Sequence, residues 1–222
     1  MSSPLLTLLP EALGETLVMV GVSAGASALL GIPLGIVLRL TDRHQILARP
    51  LLNRVLGALV NATRSTPFII LMVALIPFTR LVVGTSIGTA AATVPLIVVS
   101  IPFVARLVEA ALREVDPGIV EAAQAMGATP FQIVVKGLLP EALPGIAAGL
   151  TLTVVSLIGY SAMAGAVGGG GLGDLGIRYG YQRFQAEVMG GVVVVLIALV
   201  SLVQAAGDRL VRRLDHRARP PA

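Results

Sequence analysis

The side chains that could do chemistry are few in this 222-residue sequence. It has no cysteine, which excludes disulfides, thiol chemistry and thiolate metal sites. Its two histidines, His44 and His216, stand in basic stretches without ligand partners, so no metal site is expected. No nucleophile–base pair is discernible, and no catalysis is expected of the chain itself. The glycine run 168–176, GGGGLGDLG, contains G-x-G-x-x-G, yet it follows an apolar helix and has no strand before it, so a dinucleotide site is excluded. A close-packed external turn and a plain flexible loop are the two readings left for it. No phosphate-binding G-x-x-x-x-G-K-[ST] loop occurs anywhere.

What remains is a short roster of polar groups in apolar surroundings. Arg64 is the one charge clearly within a span, flanked by Thr63, Ser65 and Thr66. It either snorkels to the inner interface or marks a structural pair or gate on a path through the membrane. Ser156, Tyr160, Ser161 and Met163 sit in a later span. They either bond backbone carbonyls or face the same path, where the Met163 thioether would adapt to varied apolar contacts. Arg106, Glu109 and Arg113 have the spacing of an intrahelical ion pair.

The stretch 116–140, DPGIVEAAQAMGATPFQIVVKGLLP, is different in kind. Asp116 is a good N-cap, Pro117 fits a first helical position, and Gly127 can turn left-handed at the far end. Thr129, Pro130 and Gln132 repeat the start signal with a capping box, and Pro140 is expected to limit this second helix. Each helix would be roughly 15 Å long, too short for a bilayer core of roughly 30 Å. The stretch reads as an ordered elbow of two short helices. Ile119, Val120, Ala123 and Met126 would form its contact face.

The elements around it are built for lipid. Hydrophobic residues make up 55% and charged residues only 13%, about half the share of a soluble domain. Mean hydropathy is +0.91. The fold class is therefore all-α, an integral membrane bundle of five spans, expected at about 16–38, 56–78, 90–112, 143–165 and 188–207. Residues 1–15 form an external lead-in without the basic start of a signal peptide, and 208–222 a basic cytoplasmic tail. With the N-terminus outside, twelve basic residues fall inside (Arg39, Arg43, Arg49, Arg54, Arg106, Arg113, Lys136, Arg209, Arg212, Arg213, Arg217 and Arg219). Three, Arg80, Arg178 and Arg183, fall outside. This bias puts the elbow and the C-terminus in the cytoplasm. It also accounts for the net charge of +4 without invoking a nucleic acid. Glycine pairs at four-residue spacing, Gly21/Gly25, Gly31/Gly35 and Gly145/Gly149, suit close helix packing or a dimer face. Prolines 33, 67, 77, 95, 102 and 144 lie in or near spans, where kinks suit a pathway protein.

The elbow carries EAA at 121–123, then Gly127, then Leu139-Pro140. This resembles the EAA signature of ABC-importer permeases, with Gly137 standing where that pattern has Ile. The segments 61–89 and 160–184 resemble the methionine-importer permeases within the same family. The resemblance implies a permease subunit, not an enzyme, in the inner membrane of a bacterium. It implies a second copy of the chain, a cytoplasmic ATPase dimer holding ATP and Mg, and an external substrate-binding lipoprotein. It places ATPase coupling at Glu121, Ala122, Ala123, Met126, Gly127, Leu139 and Pro140. Another amino acid or an osmoprotectant remains open as substrate. An ATP-independent secondary transporter would call for inverted repeats and intramembrane carboxylates, but no such repeats are seen, the span interiors lack Asp and Glu109 lies near the inner end of its span; the elbow and the span prolines argue against a non-transporting scaffold.

Overall fold

The computed structural model describes residues 3–43 and 45–215. His44, His216, Arg217 and Arg219 lie outside the described residues. All regular structure among those described is helical. The first helix, α1 (Ser3–Thr41), runs unbroken through the boundary expected at residue 15. The lead-in is thus the first turns of the span. Ala12, with Leu8, Leu9 and Leu13, packs against Leu172, Leu175, Val188 and Val192 and has a core of its own.

The second span departs from the straight helix expected over 56–78. It is three pieces: α2 (Pro50–Ser65), α3 (Phe68–Ala74) and α4 (Ile76–Val83). The axis turns by 105° between α2 and α3. Pro67 explains the break: it has no N–H to donate and forces Thr66 into extended backbone, φ −89° and ψ 127°. Near the break, the Thr63 and Thr66 hydroxyls donate to the carbonyls of Leu59 and Ala62.

The centre of the bundle is α5 (Thr89–Arg113), which buries Leu96, Val104, Val108 and Leu112 almost completely. Lipid gives helices little hydrophobic reason to associate, so close packing must hold them. Glycines provide it. A Cβ on Gly31 would lie 2.7 Å from Val104 Cβ, and one on Gly145 would lie 2.9 Å from Ala111 Cβ. Gly35 and Gly149 meet the same helix in the same way. These two pairs are packing residues within one chain, whereas nothing lies within 4 Å of a Cβ placed on Gly21 or Gly25.

After the short α6 (Pro117–Ala125) and α7 (Pro130–Gln132), a π-helical turn (Ile133–Leu138) leads straight into α8 (Leu139–Gly165). The glycine run is closely packed, as the first of its two readings expects, but beyond a turn at Gly168 it is largely helical. It forms α9 (Gly171–Leu175) and a second π-helical turn (Gly176–Tyr181), buried against α1 and α8. A side chain on Gly173 would strike the Ala162 backbone. Glu15 accepts from the Gly171 N–H at 2.5 Å, and Thr16 Oγ1 accepts from that of Leu172 at 2.9 Å. The final helix, α10 (Ala186–Leu214), packs Gly207 onto Thr151 of α8. Among the described residues four helical stretches are long and apolar enough to cross a bilayer, and the bent α2–α3 pair makes a fifth if it counts as one span.

Candidate functional site

The elbow's first helix is built from the caps read in the sequence. Asp116 Oδ1 accepts from the Gly118 N–H at 2.8 Å. At the other end Gly127 adopts φ +75°, and the Ala128 N–H closes onto the Ala123 carbonyl at 3.0 Å. The capping box is also present: Thr129 N donates to Gln132 Oε1 at 2.8 Å, while Gln132 N donates to Thr129 Oγ1 at 3.4 Å.

Two expectations about the elbow fail. Pro140 does not end a second short helix. The π-helical turn widens the backbone just before it, and Leu139 N donates to Val134 O instead of breaking off. A widened turn relieves the clash between a proline ring and the carbonyl four residues back, so the helix passes through. The elbow is therefore one short helix followed by the first turns of a long one. The contact face is also different. Ile119, Val120 and Ala123 pack against the chain's own core of Leu112, Val115, Ile133, Val134 and Leu138, and half-buried Leu139 joins them. Facing outward are Glu121, Ala122, Gly127 and Pro140, all exposed, with Met126 81% exposed. Phe131, 76% exposed beside Met126's turn, was missed from sequence. Its signal is phase: it falls off the buried stripe Ile133, Val134, Leu138.

Gly137 lies beneath α6. A Cβ there would sit 3.4 Å from Ile119 Cγ2, so the missing side chain makes room for Ile119. The elbow thereby shares one apolar core with the end of α5 and the start of α8.

Above the elbow, at the same end of α5, lies a polar network. Glu109, 4% exposed, pairs with Arg106 at 2.6 Å and Arg113 at 2.8 Å, as its spacing predicts. The network extends to Asn61 of α2, which accepts from Arg106 at 2.8 Å, and to Asp42, 3.7 Å from Arg113. It ties α1, α2 and α5 together.

The polar span residues divide. Arg64, Thr66 and Tyr160 line one cavity of about 120 Å³ with Phe68, Val99 and Phe103. The Arg64 guanidinium carbon stands 6.0 Å from the Phe103 ring centroid, and Phe68 stacks on Tyr160 at 4.8 Å. The others are not brought into it. The hydroxyls of Thr63, Ser156 and Ser161 bond the carbonyls of Leu59, Leu152 and Ile158, and Ser161 is buried. Ser65 is exposed at the end of α2 and Met163 is half exposed on α8.

The chain is a kinked bundle of helices long and apolar enough to cross a membrane, with a capped elbow at one end. The chain belongs to the family described as binding-protein-dependent transport system inner membrane component, whose model matches residues 31–220. It is thus a multi-pass subunit of an ABC transporter, and not an enzyme in itself. It is 58% identical over 210 residues, 95% of this chain and 93% of the relative, to the probable D-methionine transport system permease protein MetI of Vibrio cholerae. It is 53% identical to the D-methionine transport system permease protein MetI of Escherichia coli K12, covering 98% of this chain and all of that one. Its fold is similar to a chain of the MetNI methionine ABC transporter solved in inward-facing conformations, with a TM-score of 0.95, 53% identity and coverage of 97% and 100%.

Proposed function

We propose that this chain is the membrane permease of an ATP-driven methionine importer, working as two copies with a cytoplasmic ATPase dimer and an external binding lipoprotein. One observation carries the coupling part of this reading. The elbow exposes Glu121, Ala122 and Met126 outward and packs half-buried Ile119, Val120 and Ala123 against a core shared with α5 and α8. A push on the outer face therefore moves two spans. ATP and Mg, held on the ATPase, would draw the two elbows together and favour the outward-facing form, and hydrolysis would reset it. Moving the population from 1:99 to 99:1 takes about 5.5 kcal/mol of differential binding. The relatives' methionine transport supports the choice of substrate. The basic bias supports an outside N-terminus and an inside C-terminus.

The test is ATP-dependent methionine uptake by the permease reconstituted with its ATPase and binding protein. Glu121→Lys reverses the charge on the outer face. Gly127→Asp places a side chain at φ +75°, at roughly 1–2 kcal/mol. Both variants are expected to insert in the membrane and to lose at least tenfold in uptake. Normal uptake in both sinks the coupling role of the elbow.

A further inference from the structure

We propose that Arg39 and Arg113, at the elbow end of α1 and α5, bind a phosphate group, that of an anionic phospholipid headgroup or free phosphate, with Arg43 and Arg49 at the rim. The site is independent of which substrate the chain carries.

Charge balance is the first argument. Arg39 lies within electrostatic reach of Arg113, Asp42 and Glu109. The oxygens of both carboxylates are already engaged. Glu109 meets Arg106 with Oε2 at 2.6 Å and Arg113 with Oε1 at 2.8 Å. Asp42 Oδ1 accepts from the Arg43 N–H at 2.8 Å, and Oδ2 stands 3.7 Å from Arg113. Arg39, Arg106 and Arg113 thus share two carboxylates, and Arg39 is the one left over. Among the described residues no ion-pair partner reaches it, and its Nε is buried without a hydrogen bond. Water could satisfy that N–H, but it would not offset an unpaired cation beside Arg113. An anion does both.

The shape of the chain around Arg39 is the second argument. The connection from α1 to α2 folds back on the last turn of α1. The Arg49 N–H donates to Thr41 O at 3.0 Å, and Asn53 Nδ2 donates to Leu38 O at 2.6 Å. This sets exposed Arg43 and Arg49 around the same helix end, and Asp42 is the one acidic residue between Arg39 and Arg64. From α5 comes Arg113, which meets both carboxylates through Nη2. Guanidinium forks arriving from two helices match the several oxygens of a phosphate better than a single carboxylate or halide. Arg39 is also the first charge after the uncharged run 16–38, so the site stands where the apolar part of α1 gives way to a polar connection. Basic pockets in such a position hold phospholipid headgroups.

Hydrogen exchange over 45–53, measured in the transporter assembled with its ATPase in detergent, reads the site on this chain. Phosphatidylglycerol should slow exchange about fivefold, and dioleoylglycerol, which lacks the phosphate, should not. Inorganic phosphate is the third probe. Slowing by it as well assigns the site to free phosphate, and slowing by the phospholipid alone assigns it to a headgroup. Arg39→Gln should abolish the slowing, and Arg39→Lys should keep part of it. Arg212→Gln removes the same charge from the end of α10 and should leave the slowing intact. No slowing with either phosphate compound overturns the proposal, as does equal slowing with dioleoylglycerol. So does slowing that survives Arg39→Gln or is lost equally in Arg212→Gln, since the attraction is then that of surface charge at large. If Arg39→Gln does not assemble, Arg113→Gln takes its place under the same criteria.

Discussion

Gly137 is where a single residue departs from the family pattern, and the structure gives the departure a reason. Ile119 Cγ2 lies 3.4 Å from the position of a Cβ on Gly137, an ordinary contact. Gly137→Ala should therefore fit and gain a little helix propensity, at most about 1 kcal/mol. Gly137→Ile adds carbons where Ile119 already sits, and overpacking of that kind costs about 1–3 kcal/mol. Ile119→Ala should restore much of the loss. Thermal unfolding of the four forms checks this: a Gly137→Ile variant as stable as the parent would mean that the two residues do not compete for space. Other residues were readable without a structure. The Arg106–Glu109–Arg113 pairing follows from spacing alone, whereas its link to Asn61, forty-five residues away, depends on how α2 crosses α5.

Elements were legible where local chemistry decides them and illegible where packing does. Both caps of the elbow appear as the sequence reads, because Asp116, Gly127, Thr129 and Gln132 act within three residues of themselves. The end of the second elbow helix was misread because Pro140 breaks an α-helix but not a widened π-turn, and only the core contacts of Val134 and Leu138 show which forms. The break at Pro67 and the buried glycine run were hidden for the same reason. Hydropathy sees an apolar stretch, not its direction. Since the cap is local, its loss should be local as well. Asp116→Ala removes the Gly118 bond at a cost of about 1 kcal/mol. Hydrogen exchange should quicken over 117–125 by about fivefold and stay unchanged in α5. Equal exchange in both forms would show that the shared core, not the cap, holds α6 in place.

At the scale of the whole molecule the two ends of the bundle differ in kind, and that difference fixes an orientation to test. One end gathers the Arg106–Glu109–Arg113 network, Asp42, the elbow and the close of α10, where Asp215 lines a cavity with Glu114 and Glu141. The other end is closed by backbone: the Gly88 N–H donates to Gly168 O at 2.8 Å, and Gly171 meets Glu15. Three helices, α1, α5 and α10, end in basic residues at the elbow. These residues are Arg39, Arg113, Arg212 and Arg213. The positive-inside bias leads us to propose that this end faces the cytoplasm. Single cysteines read this directly in a chain that has none. Ala48→Cys lies in the exposed connection between α1 and α2, and Thr85→Cys lies in the turn after α4. In intact spheroplasts a membrane-impermeant maleimide should label the second and not the first, and lysis should expose the first. The reverse pattern would place the elbow outside the cell, out of reach of any ATPase that uses cytoplasmic ATP.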